Sequence, residues 1–405
     1  MTEHIKTPEL RFSNFLDMWH IHKLSDVATI TGGGTPSTKV LEYWNGEIDW
    51  YTPNEIGKSI YARGSKKKIT NLGYKKSSTK LLPINTILFT SRAGIGNTAI
   101  LAKEGCTNQG FQSIIPNSEK IDSYFIYTIS NYIKKYALKH AAGSTFLEIS
   151  GKELGKMKLF LPSLKEQQKI GVFFSKLDQQ IELEEKKLEL LEQQKKGYMQ
   201  KIFSQELRLK DKSGNNYPKW NNKKLKDIIH LQNGYAFKSN LFSDNGIPII
   251  RITDINKSLV SAGTAYYPED INIDERFKIN KNDILIAMSG ATTGKVGKYI
   301  SKTPSYLNQR IGKFVMKNGS DNNFIFAYLN SINFKKELNK LLVAGAQPNI
   351  SSQDIENISL TIPSSEEQER IGTFYLHFNN FIEKQSSKVG LLKQRKQGLL
   401  QKMFV

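Results

Sequence analysis

Only one cysteine, Cys106, and six histidines occur among the 405 residues. No intrachain disulfide can form, and the histidines show no metal-ligand spacing, so redox and zinc chemistry drop out. No apolar run approaches the roughly 20 residues that cross a bilayer, and the opening MTEHIKTPELRF lacks the basic-then-apolar pattern of a secretion signal. A cytoplasmic protein is expected. The 12 prolines include no adjacent pair, which removes the Asp/Asn-Pro-Pro-aromatic loop of amino-methyltransferases. Acidic residues are scarce as well: 38 Asp and Glu face 58 Lys and Arg, leaving a formal charge of +20. So basic a surface attracts polyanions and releases their counterions, which makes nucleic acid the leading partner class and a Lys-rich solvated surface the alternative.

What the chain does contain is a repeat. EQQKIGVFFSKLDQQI, beginning at Glu166, returns 201 residues later as EQERIGTFYLHFNNFI at Glu367. At the same offset Trp19, Leu24 and Asp26 reappear as Trp220, Leu225 and Asp227, Gly33 as Gly234, and ISGKELGKMKLFLPS at Ile149 as ISSQDIENISLTIPS at Ile350. Between these stretches the offset drifts, to 197 for Ile87 and Ile284, 198 for Gly96 and Gly294, and 200 for Asn108-Gln109 and Asn308-Gln309. Insertions and deletions are confined to the middles. ELRF at Glu9 and ELRL at Glu206 precede the two tryptophans.

Each repeat ends in a long amphipathic pattern opened by Pro162 or Pro363. Ile170, Phe174, Leu177, Ile181, Leu188 and Leu191 in one, and Ile371, Tyr375, Phe378, Ile382, Val389 and Leu392 in the other, follow a seven-residue period with charges between them, as coiled-coil seams do. About 38 residues at 1.5 Å each give a helix of about 57 Å. The polar interruptions also match, Glu184 with Gln385 and Lys195 with Lys396. That match favours an intramolecular antiparallel pair with pseudo-two-fold symmetry over two solvated helices or an intermolecular coil. Phe404 is then expected beside ELRF, as Phe203 leads into ELRL. The expected segments are a globular domain over 1–161, a long helix over 162–205, a second domain over 206–362 and a second helix over 363–405.

The divergent middles read as α+β. TILFTS, DILIAMS, FQSIIP and GKFVMK have strand character, whereas SYFIYTISNYIKKYALKHA and NFIFAYLNSINFKKELNKLL place apolar residues at helical spacing. Ser150 with Glu153, and Ser351 with Asp354, suit helix starts before a last strand. Residues 11–160 carry 20 Lys and Arg against 11 acids and residues 212–361 carry 20 against 12, but the helical stretch 165–203 carries 8 against 7. The excess charge belongs to the two domains, which favours nucleic acid over an indifferent surface. GGGT at Gly32 and SGATTGKVG at Ser289 invite a phosphate-loop reading. The second, however, lacks both the four-residue gap and the hydroxyl after its Lys, so both read as tight turns. The acidic PEDINIDERFK reads as a loop.

The ELRF…W entry, the paired strand and Asn-Gln segments, GAQPNIS at Gly345 with its looser counterpart GSTFLEIS, and the doubled helical frame together resemble the DNA-specificity subunit of type I restriction–modification systems. The resemblance covers essentially the whole chain. It implies two target-recognition domains, each reading half of a bipartite asymmetric site in double-stranded DNA, with the helices setting the spacer. It also implies a non-enzymatic subunit without cofactors of its own. Two modification subunits would supply S-adenosylmethionine-dependent adenine methylation, and restriction subunits ATP- and Mg-dependent translocation and cleavage, with no membrane involved. A self-standing DNA-binding or architectural protein and a fused methyltransferase are the rivals. Among only nine arginines, Arg63, Arg92, Arg251, Arg276 and Arg310 lie in the middles and are candidates for bidentate guanine reading. Lys66, Lys67, Lys68, Lys75, Lys76, Lys295 and Lys298 suit phosphates. Ser91, Ser289, Thr292 and Thr293 complete the candidate DNA contacts. Arg11 and Arg208 match each other and belong to the frame, and the repeated Asn-Gln pairs suggest a shared structural role.

Overall fold

In the computed structural model, which describes residues 5–404 apart from 93, 144–146, 256–257, 318 and 344–348, the repeat in sequence is a repeat in strand pairing. Trp19–Lys23 pairs antiparallel with Lys158–Leu161, setting Lys23 opposite Lys158, and Asn221–Lys224 pairs with Ser359–Ile362, setting Lys224 opposite Ser359. The two registers are therefore the same. Leu159 and Leu161, like Leu360 and Ile362, are buried on one face, and a slip of one residue would turn them to solvent.

The chain divides into two units, one running up to Glu185 and resuming at Lys388, the other comprising Lys186–Ser387. In the first, a five-stranded sheet has the order Ala28–Gly32, Gln112–Pro116, Ile87–Phe89, Thr98–Leu101, Tyr61–Ala62. Its last pairing is parallel and the others antiparallel. A three-stranded sheet centres on Trp44–Tyr51, between antiparallel Lys67–Ile69 and parallel Cys106–Thr107. The second unit repeats both. Its five-stranded sheet runs Ile229–Asn233, Ile311–Met316, Ile284–Ala287, Val296–Tyr299, Leu259–Val260 with the same directions. Ile247–Ile250 lies between antiparallel Ala265–Tyr267 and parallel Ser305–Leu307, and Lys278–Ile279 adds an outer strand. The α+β expectation holds, and the drifting offsets fall in the connections. One departure is PEDINIDERFK, which contains a 3-10 turn, Glu275–Phe277, and begins that outer strand.

The helical stretches are each broken in two, Ser123–Thr128 with Ser130–His140 and Asn322–Leu329 with Ile332–Val343. Asp122 and Asp321 start them, their carboxylates accepting Phe125 N–H at 2.8 Å and Phe324 N–H at 2.7 Å. The long helices, Leu164–Phe203 and Ser365–Met403, dock beside these caps. Gln167 accepts Asp122 N–H at 3.1 Å and donates to the Pro162 carbonyl, while Gln368 does the same with Asp321 and Pro363. A Cβ on Gly171 would stand 2.6 Å from Asp122 Oδ1 and one on Gly372 2.3 Å from Asp321 Oδ1, which explains the Gly of each IG pair.

The end of each long helix closes the core of the other repeat. Phe404 packs 5.5 Å from Phe125 and 6.2 Å from Trp19, ring to ring, and Phe203 packs 5.9 Å from Phe324 and 6.4 Å from Trp220. Leu10 N–H donates to the Lys402 carbonyl at 2.9 Å as Leu207 N–H does to Lys201 at 3.0 Å, so the final turn does lie beside ELRF. The helices pair antiparallel within each unit. Asp178–Lys396 and Glu185–Lys393 ion pairs, both 2.5 Å, join them in the first, and Tyr198 meets Phe374 and Phe378 in the second. The seam is not helix-to-helix throughout. Ile170, Phe174, Ile371 and Tyr375 are absorbed into the globular cores, which the close approach at Gly171 and Gly372 permits. Leu177, Ile181 and Val389 are buried, and Leu188, Leu191, Phe378, Ile382 and Leu392 are half-buried. Among the described residues no helix is long and apolar enough to cross a membrane.

Candidate nucleic-acid interface

At one end of each five-stranded sheet, four segments converge. In the first unit they are the exit of Ala28–Gly32, the hairpin loop after Ile87–Phe89, the turn at Asn108, and the chain at Ile149. Ser91 N–H donates to the Gly110 carbonyl at 2.8 Å and Ile149 N–H to the Ser91 carbonyl at 3.1 Å. In the second, Met288 N–H donates to Arg310, Ile350 N–H to Met288 and Gln309 N–H to Tyr235, at 2.8–2.9 Å. Ile350 of GAQPNIS reaches this end; its Gly345–Pro348 portion, like 144–146 of GSTFLEIS, lies outside the described residues.

The junction depends on glycine. A Cβ on Gly33 would lie 2.2 Å from the Asn108 carbonyl oxygen and one on Gly234 2.0 Å from that of Asn308. Backbone cannot yield like a flexible side chain, so Gly234→Ala is expected to destabilise the second unit by about 1–3 kcal/mol, read as a lower urea midpoint. The Asn-Gln pairs divide in role. Asn108 Oδ1 accepts Gly110 N–H at 2.9 Å and Asn308 Oδ1 accepts Arg310 N–H at 3.2 Å, fixing the turn as expected. Gln109 and Gln309 are exposed at its tip, and Gln109 is oriented by the Thr35 hydroxyl.

In the first unit Arg92 is half-exposed, 3.9 Å from Glu148. Arg63 is exposed over the Tyr61 ring at 5.3 Å. Lys66, Lys67, Lys75 and Lys76 are exposed and Lys68 half-buried; Lys66 directly precedes the strand Lys67–Ile69 of the three-stranded sheet, Lys67 and Lys68 lie on it, and Lys75 and Lys76 close the short helix Asn71–Lys75 that follows, with Lys67 over Trp44 at 5.8 Å. That sheet is held by Asp49, whose carboxylate receives Lys103 at 2.6 Å and Ser65 N–H at 3.0 Å. Burial pushes the Asp49 carboxyl up, but these donors outweigh it and hold it below the usual carboxylate range. Contrary to the sequence expectation, Ser91 is fully buried with its hydroxyl turned to Glu148, out of reach of a base edge.

In the second unit Arg251, Arg276, Lys295, Gln309 and Arg310 are exposed. Arg276 stacks 4.7 Å over Phe277, which packs 5.3 Å from Tyr235. Arg251 reaches Thr264 at 3.4 Å, and the neighbouring Ile252 carbonyl accepts the Thr292 hydroxyl at 2.9 Å. Thr293 donates to the Gly290 carbonyl, and the Ser289 hydroxyl is buried with no partner among the described residues. Lys298 departs from the sequence expectation. It is 8% exposed on a strand covered on both faces and donates to Asn323 Oδ1 at 2.7 Å, and burial lowers its pKa, so it does not belong with the phosphate contacts. The Gly-rich loop joins two antiparallel strands and opens no helix, so it offers no phosphate cradle.

The frame arginines bind their own helices. Arg11 grips Glu166 bidentately, both distances 2.7 Å, and Arg208 grips Glu367 at 2.8 and 2.7 Å. Both glutamates are fully buried. Trp220 Nε1–H also donates to Glu367 at 3.0 Å, whereas Trp19 Nε1 has no partner among the described residues.

The sequence model of the family described as type I restriction modification DNA specificity domain matches residues 17–193 and again 217–389. The chain is 33% identical to the type I restriction enzyme MjaIX specificity subunit of Methanocaldococcus jannaschii over 290 residues, 67% of this chain and 66% of that one. To the MjaVIII specificity subunit of the same organism it is 26% identical over 392 residues, 93% of this chain and 90% of the relative. In fold it is similar to the crystal structure of an S subunit from M. genitalium, with a TM-score of 0.65, 16% identity and 99% of each chain covered.

Proposed function

The chain belongs to the type I restriction–modification DNA-specificity family, and from that premise we propose that each of its units reads one half of a bipartite, asymmetric site in double-stranded DNA. The chain is the non-catalytic specificity subunit. Its long helices set the spacer between the half-sites and carry docking faces for two modification subunits, and restriction subunits, the translocase and nuclease, join the same complex. S-adenosylmethionine, ATP and Mg belong to those partners, and the assembly works in the cytoplasm.

One observation carries this reading. The same four segments meet at the same sheet end in both units and keep the same Gly–Asn junction, yet the side chains around it differ: Thr35, Arg92 and Gly110 become Ala236, Ser289 and Arg310. A constant platform with exchanged side chains suits two readers of different bases. Lysines around the Lys67–Ile69 strand hold phosphates and fix register, and arginines at the sheet end reach base edges.

The test is DNA binding by the chain with and without its modification subunits. The complex is expected to select a bipartite site, and the isolated chain to bind weakly. Within the complex, Arg310→Ala should relax one position of a single half-site by about 1–3 kcal/mol, whereas Lys67→Ala should weaken all sequences alike and lower the salt slope by about 1. Tight, specific binding by the isolated chain, or Arg310→Ala altering both half-sites, would overturn the assignment.

A further inference from the structure

Lys195 and Lys396 interrupt the two apolar seams at equivalent positions, so each repeat serves as a control for the other. In the first unit Lys396 lies 2.5 Å from Asp178, whose carboxylate also accepts the Tyr124 hydroxyl at 2.8 Å. In the second unit the residue equivalent to Asp178 is Asn379. Lys195 donates to Asn379 Oδ1 at 2.5 Å and lies 4.3 Å from the Tyr375 ring. An amide and a ring face solvate an ammonium without neutralising it, and among the described residues Lys195 makes no ion pair. Burial pulls its amine down to about 8, against the longer-range pull of Glu192 and Glu383 and with the help of Lys335.

The open side of Lys195 faces a cleft of about 1010 Å³ within the second unit. Phe326, Tyr375, Ile382 and Ile332 form its apolar floor, Glu192, Glu383 and Lys335 stand on its walls without an ion pair to Lys195, and Ile332 is 47% exposed, a large apolar side chain left to water. We infer that this cleft receives an apolar segment of a partner protein carrying one acidic side chain, whose carboxylate supplies to Lys195 the countercharge that Asp178 gives Lys396. The apolar floor is what selects a protein, since a nucleic-acid phosphate would need no such floor. The inference rests on the proposal that modification subunits dock on the helical frame, and it makes the two docking faces unequal. One repeat pairs its cation directly, and the other leaves it with only the longer-range pull of Glu192 and Glu383 until a partner arrives.

Calorimetric titration of the full chain with purified modification subunits tests this through three variants. Asn379→Asp rebuilds the internal pair. It is expected to raise the unfolding temperature of the chain and to weaken one of the two binding events roughly 10-fold or more, as loss of an interfacial charge pair does. Lys195→Met removes a half-buried charge with little harm to folding and should weaken the same event. Lys396→Met should lower the unfolding temperature and leave both affinities unchanged. Unchanged affinity in Asn379→Asp, with the chain stabilised, would overturn the inference while leaving subunit docking intact. A loss of DNA affinity in Lys195→Met with subunit affinity preserved would overturn it in favour of a nucleic-acid contact. If the unaltered chain took up no modification subunit at all, the docking reading would fail and the inference with it.

Discussion

Arg11→Met is expected to destabilise the first unit by about 3–5 kcal/mol, the cost of leaving a buried carboxylate without its partner. Glu166 is fully buried and both its oxygens are taken by the Arg11 guanidinium. Because Trp19 Nε1 does not reach it, nothing described remains to hold that charge once the arginine is gone. Arg208→Met should cost less, since Glu367 keeps the Trp220 indole N–H. The double variant Arg11→Met/Glu166→Met should recover much of the loss, because replacing both members of a buried pair by apolar groups removes the desolvation cost along with the attraction. Chemical unfolding of the full chain provides the measurement. A single variant within 1 kcal/mol of the parent would show that the clamp is solvated in practice.

This clamp illustrates what a sequence does and does not disclose. Arg11 and Arg208 were recognisable as a matched pair, and Glu166 and Glu367 as members of a repeated segment. The bond between them spans 155 residues in one repeat and 159 in the other, and no local pattern reports so distant a contact. The frame was legible because its residues serve one another: Gln167 and Gly171 answer to Asp122 as Gln368 and Gly372 answer to Asp321, so a constant offset survives. The common topology of the two middles was not legible. Edge strands such as Tyr61–Ala62 and Leu259–Val260 are two residues long and paired by tertiary context, with no period to detect.

Two of the candidate contacts are buried, for reasons that residue type does not report. Lys298 and Ser91 stand beside Gly-rich loops, but Lys298 lies on a strand covered on both faces and Ser91 is buried just past the strand Ile87–Phe89, between the turn at Gly110 and the chain at Ile149. Gln109 and Gln309 repeat beside their neighbouring asparagines in sequence, although alternation along the turn sends one side chain inward and the next to solvent. Charge counting places the basic excess in the two domains and reports nothing of the sheet end, which only strand order supplies.

The largest functional effect is expected from lengthening the helices. Seven residues inserted between Glu185 and Lys186, matched by seven between Ser387 and Lys388, keep the Asp178–Lys396 pair on one side of the insertion and the Lys195–Asn379 bond on the other. Seven residues also keep the apolar seam within about 20° of its original face. An insertion in one helix alone would slide these pairs out of register and destabilise the chain. The matched insertion adds about 10 Å to each helix, and at about 3.4 Å per base pair the recognised spacer should change by up to about three base pairs. The half-sites should stay the same, because the sheet ends with their Gly33–Asn108 and Gly234–Asn308 junctions are untouched. Affinity for the original spacing should then fall toward the nonspecific level, roughly 10³-fold or more. Sequencing the host genome for methylated adenines, with the parent and then with the lengthened chain, reads spacer and half-sites together. A changed half-site with an unchanged spacer would mean that the helices do not set the distance and that base choice is not confined to the two sheet ends.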